Sequence, residues 1–181
     1  MTRHTAYQFA ARLNSFKNGA GMSEKVGVLD LLARAATVPG LNAVDLNYPD
    51  HVEGLEIKAL KGRLSDLGLT LNGLAMRYYS EPGFKLGAFT NPDSALRRTA
   101  IDQTKRGIDQ MLELGGSLMT LWMGQDGFDY SFQADYARLW DQTLEAISEV
   151  TDHAPASEVS IEYKPNEPRS FALMPDIGTT L

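Results

Sequence analysis

The stretch Val159-Ser160-Ile161-Glu162-Tyr163-Lys164-Pro165-Asn166-Glu167-Pro168-Arg169 tells most about how this chain folds. Its first five residues suit a β-strand, and the two prolines that follow predict a turn that leaves the strand. Side chains alternate along a strand, so Glu162 and Lys164 are expected on the same side. Two interpretations of this pair are open. It is either an ion pair at a strand end, or a site where glutamate binds a hard cation and lysine polarises a carbonyl oxygen.

Outward from this segment, strand-like and helix-like stretches alternate along the chain. Strands are recognised by short apolar runs bounded by turn residues, and helices by apolar residues at helical spacing. The predicted strands are residues 7–13, 43–46, 69–76, 117–123 and 159–163.

The predicted helices lie between these strands. Ser23 is expected to cap the first helix, and Asn91 to cap the third with Pro92 at its first position. The tail, residues 170–181, is expected to begin a fifth helix. Each of the first four predicted helices has a stripe of apolar residues. In chain order the stripes are Val26, Leu29, Leu32 and Ala36; Leu55, Leu60, Leu64 and Leu67; Leu96, Ala100, Ile108, Met111 and Leu112; and Tyr136, Leu139, Trp140, Leu144, Ile147 and Val150.

Strands that alternate with crossover helices pair in parallel, so the predicted fold class is α/β. One architecture is a partial (β/α)8 TIM barrel with about five βα units, and the other is an open doubly wound sheet. A full barrel takes about 250 residues or more, whereas this chain has 181. The barrel interpretation therefore treats residues 1–181 as one domain truncated at the C-terminus, with the C-terminal strands missing.

Composition narrows the possible function classes. Hydrophobic residues make up 43% of the chain and charged residues 22%, which is enough for a core and argues against disorder. The net charge is -6 with scattered basic residues, which argues against a nucleic-acid partner. The chain has no cysteine, which excludes disulfides and thiolate chemistry. No apolar run approaches the roughly 20 residues of a membrane helix, and we expect a cytoplasmic protein with no membrane partner.

Three segments resemble xylose isomerases. Residues 162–169 are similar to the family's Glu-x-Lys-Pro-Asn-Glu-Pro-Arg signature. Residues 84–93, Phe-Lys-Leu-Gly-Ala-Phe-Thr-Asn-Pro-Asp, and residues 121–127, Leu-Trp-Met-Gly-Gln-Asp-Gly, are similar to two further family segments and occur in the same order. The resemblance covers about residues 79–181 and implies the N-terminal part of a xylose isomerase-like TIM barrel.

The resemblance also implies roles for individual residues. Glu162 matches a metal-binding carboxylate, Lys164 a lysine that hydrogen-bonds the terminal oxygen of the sugar, and Glu167 an acid near the site. Trp122 matches an aromatic wall for the sugar, although ordinary core packing is a second interpretation. The implied protein is a homo-oligomeric aldose–ketose isomerase that uses Mn, Mg or Co. We expect Glu162 and Lys164 to enter one cavity near Trp122, and the Glu167–Pro168 bond to be cis.

Two departures from the family pattern bear on activity. Where the family has a histidine after its second strand, this chain has Asn47, which cannot act as a base; His51 is interpreted as a loop histidine. His4 and His153 are interpreted as surface residues. The family's remaining metal ligands lie on strands six to eight. One carboxylate cannot hold a divalent ion tightly, so the 181 residues alone are expected to be inactive.

Three alternatives to the isomerase remain. A sugar 3-epimerase or dehydratase of the same superfamily needs a glutamate at the end of the fourth strand, where this chain has Trp122 and Met123. An abasic-site endonuclease needs a histidine-rich metal cluster and a basic face. An inactive fragment or binding module is the third. The residues at the fourth strand favour the isomerase.

Overall fold

The computed structural model describes residues 7–17 and 26–181, in which strands and helices alternate. The strands are β1 (Ala10–Arg12), β2 (Ala43–Tyr48), β3 (Thr70–Met76), β4 (Leu118–Trp122), β5 (Gly127–Phe128), β6 (Glu158–Glu162) and β7 (Phe171–Ala172). The helices are α1 (Val28–Ala36), α2 (Ile57–Asp66), α3 (Ser94–Leu114), α4 (Tyr136–His153) and α5 (Ile177–Thr180).

The main sheet has five strands in the order β1-β2-β3-β4-β6, and every neighbouring pair is parallel. Each strand therefore pairs with the next long strand in the chain, as in the wall of a TIM barrel. Consecutive helices also contact one another, α1 with α2, α2 with α3 and α3 with α4. An open doubly wound sheet would place helices on both faces. The α/β class and the partial barrel are confirmed.

The two faces of the sheet differ in chemistry. The outward-facing side chains are large, apolar and buried under the helices; they include Val44, Leu46, Tyr48, Leu74, Met76, Met119 and Leu121. The inward face carries small residues at neighbouring register positions, namely Gly73, Ala75, Thr120 and Ser160. A Cβ atom at Gly73 would lie 2.5 Å from the backbone oxygen of Leu118, so the close approach of β3 and β4 requires glycine. Small inward residues leave the concave face open.

The sheet is strongly curved. Neighbouring strands are about 4.8 Å apart, so the edge strands β1 and β6 of a flat five-stranded sheet would lie about 19 Å apart. Even so, Arg12 of β1 donates a hydrogen bond of 2.6 Å to Glu162 of β6. Both side chains must therefore point into the concave side, which is the interior of the barrel wall.

Some predicted details are wrong at the segment ends. Asn91 does not cap α3, because its amide donates to the carbonyls of Gly83 and Gly87 and so braces the preceding loop. Asp93 is the N-cap instead, accepting from the amide of Ala95 at 2.8 Å, and Pro92 lies before the helix. The predicted cap Ser23 and surface residue His4 lie outside the described residues.

The tail is also different from the prediction. Instead of one helix, it forms β7, which pairs antiparallel with β5, and then the four-residue α5. The amide of Ala172 donates to the Pro165 carbonyl, and the amide of Leu173 donates to the Asp126 carbonyl. These long-range bonds bring the tail to the carboxyl ends of β4 and β6. No described helix combines the length and apolarity needed to cross a membrane.

Candidate active site

A cavity of about 600 Å³ opens where β4 and β6 end. Aromatic residues form one wall: the rings of Tyr79 and Trp122 meet edge to face with centroids 4.9 Å apart. The ammonium of Lys164 lies 5.5 Å from the centre of the Trp122 ring, within the range of a cation–π contact. Glu167 and Arg169 also line this cavity. An apolar aromatic wall facing charged hydrogen-bonding groups suits a polyhydroxylated ligand with one apolar face.

Lys164 and Glu167 form an ion pair beside the cavity. The lysine ammonium donates to a Glu167 carboxylate oxygen at 2.7 Å, and this hydrogen bond lowers the pKa of Glu167. An ammonium has three hydrogens, so Lys164 keeps donors for a ligand. The Glu167–Pro168 peptide bond is cis, as predicted from the sequence.

Glu162 is not among the side chains that line this cavity. It is in register with Trp122, which does line the cavity, so its expected entry into one cavity with Lys164 stays a prediction. It faces the concave side of the sheet, where the Arg12 guanidinium holds its carboxylate. The backbone changes course after β6. The Lys164 amide donates to the Met174 carbonyl, so the chain has left the sheet before it reaches Lys164.

Arg169 was not assigned a role from the sequence, although it ends the Glu-Pro-Arg signature. It is 6% exposed and donates to the Asp129 carboxylate at 3.1 Å and to the Gln125 carbonyl at 3.5 Å. The guanidinium lowers the pKa of the Asp129 carboxyl. Arg169 thereby joins the segment after β6, which carries Lys164, to the segment that follows Trp122 at the end of β4.

Asp126 fastens another wall of the site. One of its carboxylate oxygens accepts from the Ala88 amide at 3.1 Å, and from the amide and hydroxyl of Thr90 at 2.7 Å each. The residue is 1% exposed, and burial raises the pKa of its carboxyl despite these hydrogen bonds. The loop between β3 and α3, which contributes Tyr79 to the cavity, is thus tied to the end of β4.

The histidines lie in different surroundings. His51 follows β2 and is 3% exposed, and its Nδ1 accepts from the Asn47 amide at 3.1 Å. Burial lowers the pKa of His51 to about 4, so this imidazole is neutral at neutral pH. The position of His51 after β2 is compatible with its interpretation as a loop histidine. Its side chain is nevertheless buried. His153 lies at the end of α4, remote from the cavity, with Nε2 2.8 Å from an Asp109 carboxylate oxygen.

The described residues do not by themselves fit a divalent-metal site. Within residues 7–17 and 26–181, no group of three or more His, Cys, Asp and Glu side chains is placed to hold a metal ion. Glu162 offers one carboxylate, which already forms an ion pair with Arg12 at 2.6 Å between Nη2 and Oε2. A hard divalent cation usually takes about six oxygen ligands, so a single paired carboxylate is insufficient.

Comparison with known proteins identifies the family. The model of the xylose isomerase-like TIM barrel family matches residues 32–172, and this chain belongs to that family. A xylose isomerase from Thermus thermophilus is 29% identical over 129 residues, which cover 69% of this chain and 33% of that protein. The chain thus spans about one third of this curated relative.

Solved structures show the same fold at lower identity. A Sinorhizobium meliloti 1021 protein superposes with a TM-score of 0.67 at 21% identity, covering 94% of this chain and 56% of that one. For an L-ribulose 3-epimerase the TM-score is 0.60 at 20% identity, with 86% and 48% covered. For a family 2 AP endonuclease from Brucella melitensis it is 0.64 at 17% identity, with 92% and 59% covered. These similarities establish the barrel fold.

Proposed function

We propose that this chain provides the first five βα units of a metal-dependent sugar isomerase, which interconverts an aldose and a ketose. The observation that carries the proposal is the cavity in which Lys164, Glu167 and Trp122 meet. These residues come from two of the segments that resemble xylose isomerases. The similarity to the Thermus xylose isomerase supports the same reaction.

In the proposed site, each residue of this chain has a task that follows from its position. The Trp122 and Tyr79 rings cover the apolar face of the sugar and exclude water from it. Lys164 donates to the terminal oxygen of the open-chain sugar and stabilises negative charge that develops there. Glu167 orients Lys164 through their 2.7 Å hydrogen bond. The homo-oligomeric state expected from the resemblance belongs to this proposal.

Metal dependence is part of the proposal, with Mn, Mg or Co as the expected ion and Glu162 as one ligand. Arg12 would have to release Glu162, and the other ligands would come from outside the described residues. No reaction step is assigned to the ion. For this reason we propose that residues 1–181 have no isomerase activity of their own.

A sugar 3-epimerase is the second candidate, because the barrel fold is shared with an L-ribulose 3-epimerase. Epimerisation requires a carboxylate that moves a proton at the sugar carbon. Of the carboxylates that follow β4, Asp126 is buried with three donors on one oxygen and does not line the cavity, and Asp129 is paired with Arg169. This arrangement favours the isomerase.

The test measures aldose–ketose and C3-epimer products for the 181-residue chain and for a longer protein in which the barrel is closed. We expect the closed barrel to form ketose only with a divalent metal, and Lys164→Gln to lower its kcat about a hundredfold or more. Lys61→Gln is the control, because Lys61 lies on α2 and donates to the Glu113 carbonyl, away from the cavity. Turnover by the 181-residue chain, or by the closed barrel in excess chelator, would refute the proposal; a C3 epimer as sole product would select the second candidate.

A further inference from the structure

A second group of polar side chains lies where β1, β2 and β3 end, beside the Lys164 cavity. We name Arg12, Asn47, His51 and Arg77 the donor cluster. Arg12 is paired in register with Asp45, two residues before Asn47, and the Arg77 amide donates to the Tyr48 carbonyl. The cluster therefore occupies three neighbouring strand ends at the same edge of the sheet.

Three members of the donor cluster have hydrogen-bonding atoms that are buried and unpaired. They are Asn47 Nδ2, His51 Nε2 and Arg77 Nε, none of which has a hydrogen-bond partner among the described residues. Asn47 and His51 are each only 3% exposed. Since Nδ1 of the neutral His51 ring accepts from the Asn47 amide, its Nε2 carries the proton. All three atoms are donors, and buried donors without acceptors are rare in folded proteins.

The cluster carries two guanidinium groups, and the Asp50 and Glu162 carboxylates lie near them. The Arg77 guanidinium lies 4.3 Å from the centre of the Tyr79 ring, which holds it toward the mouth of the barrel. Arg12 uses one of its five donors on Glu162. Burial lowers the pKa of Arg77, and the nearby charge of Arg12 lowers it further, while Asp50 and Glu162 act in the opposite direction. Burial removes water from the Arg77 guanidinium, and the acceptor oxygens of a bound ligand would replace that water.

We propose that the donor cluster binds an anionic group carried by the sugar, so that the substrate is a sugar acid or a sugar phosphate and not a neutral pentose. The inference rests on the proposed function for the sugar part of the ligand. A carboxylate or phosphate offers several acceptor oxygens to Arg12, Asn47, His51 and Arg77 at once. The Tyr79 ring links the two regions, because it contacts Arg77 on one side and Trp122 on the other.

Calorimetric titration of the 181-residue chain at constant ionic strength tests this inference. The probes are D-glucose, D-glucuronate, D-glucose 6-phosphate and inorganic phosphate. We expect at least one anionic sugar to bind about tenfold more tightly than glucose, since a charge-assisted hydrogen bond contributes at least that much. The better of the two anionic sugars identifies carboxylate or phosphate as the preferred group.

Two variants of Arg77 test whether this residue causes the preference for anionic sugars over glucose. Arg77→Gln should abolish it while the affinity for glucose is kept, and Arg77→Lys should retain part of it. Arg98→Gln is the matched control, because Arg98 lies on α3 and is paired with Glu149 outside the barrel. Equal binding of charged and neutral sugars, no binding of either anionic sugar, or an unchanged preference in Arg77→Gln would overturn the inference.

The sugar and the anion can be tested separately. If inorganic phosphate binds as tightly as glucose 6-phosphate, the cluster holds an anion without a sugar and the inference is wrong. Trp122→Leu should weaken every sugar but leave inorganic phosphate unaffected. If Trp122→Leu changes nothing while the anionic preference and its loss in Arg77→Gln persist, the cavity of the proposed function is wrong and the anion site is supported.

Discussion

Replacing Asp126 with alanine is expected to release the loop that carries Tyr79 from the end of β4. The substitution removes the acceptor of the Ala88 amide, the Thr90 amide and the Thr90 hydroxyl. A buried donor left without an acceptor costs about 1–3 kcal/mol. The hydroxyl can rotate toward another acceptor, whereas the two amides cannot. We therefore expect the free energy of unfolding to fall by about 2–6 kcal/mol.

Asp126→Asn separates the hydrogen bonds from the charge. Asparagine keeps one acceptor oxygen, so we expect it to cost less than alanine. Because burial raises the pKa of Asp126, the folded state binds its proton more readily than the unfolded state does. This contribution to stability is full below the unfolded pKa of about 3.9 and is lost as the pH rises through the raised folded pKa. The difference between wild type and Asp126→Asn should shrink across that window.

The assay is urea unfolding at several pH values, followed by amide hydrogen exchange at Ala88 and Thr90. Asp129→Asn is the control, because the contribution of Asp129 to stability should change with pH in the opposite direction. Pairing with Arg169 lowers the pKa of Asp129. The stabilisation from that carboxylate is present above the unfolded pKa and is lost as the pH falls through the folded pKa. If Asp126→Ala unfolds at the wild-type urea concentration with unchanged exchange at both amides, Asp126 does not fasten the loop.

Three other outcomes are expected. Gly73→Ala should destabilise the chain by about 1–3 kcal/mol because its Cβ would lie 2.5 Å from a β4 carbonyl. Gly62→Ala in α2, where a Cβ meets nothing within 4 Å, should stabilise the chain by about 0.5–1 kcal/mol. If the Gly73 and Gly62 variants change urea unfolding equally, the packing argument is wrong. His51 should titrate near pH 4 by NMR, so its contribution to stability is lost as the pH falls from about 6.5 toward 4; titration near 6.5 would mean that the imidazole is solvated. The 181-residue chain should self-associate in light scattering, since β1 and β6 are sheet edges among the described residues; a stable monomer would count against exposed edges.

Local patterns were sufficient for the class and order of the main elements. Apolar spacing located α1 to α4, and the five long strands appear near their predicted positions because each is a short apolar run between turn residues. The cap of α3 was misplaced. Asn91 and Asp93 are both good capping residues, and only the loop beneath Asn91 determines that its amide braces Gly83 and Gly87.

Only part of the candidate site could be predicted from the sequence. The resemblance to xylose isomerases indicated Lys164, Glu167 and Trp122, since a resemblance in sequence order preserves which strand ends carry them. It could not indicate Arg12, which meets Glu162 across a sequence separation of 150 residues. That contact depends on sheet curvature, and curvature arises from the twist and packing of all five strands together.

By itself, the sequence determined that this is an α/β chain with xylose isomerase-like strand ends, because periodicity and short signatures are local properties. Tertiary structure decided which charges face one another. It paired Glu162 with Arg12. It also gathered Asn47, His51 and Arg77 into one donor cluster. Such groupings depend on distances between strands that lie far apart in the chain, and no local pattern contains those distances.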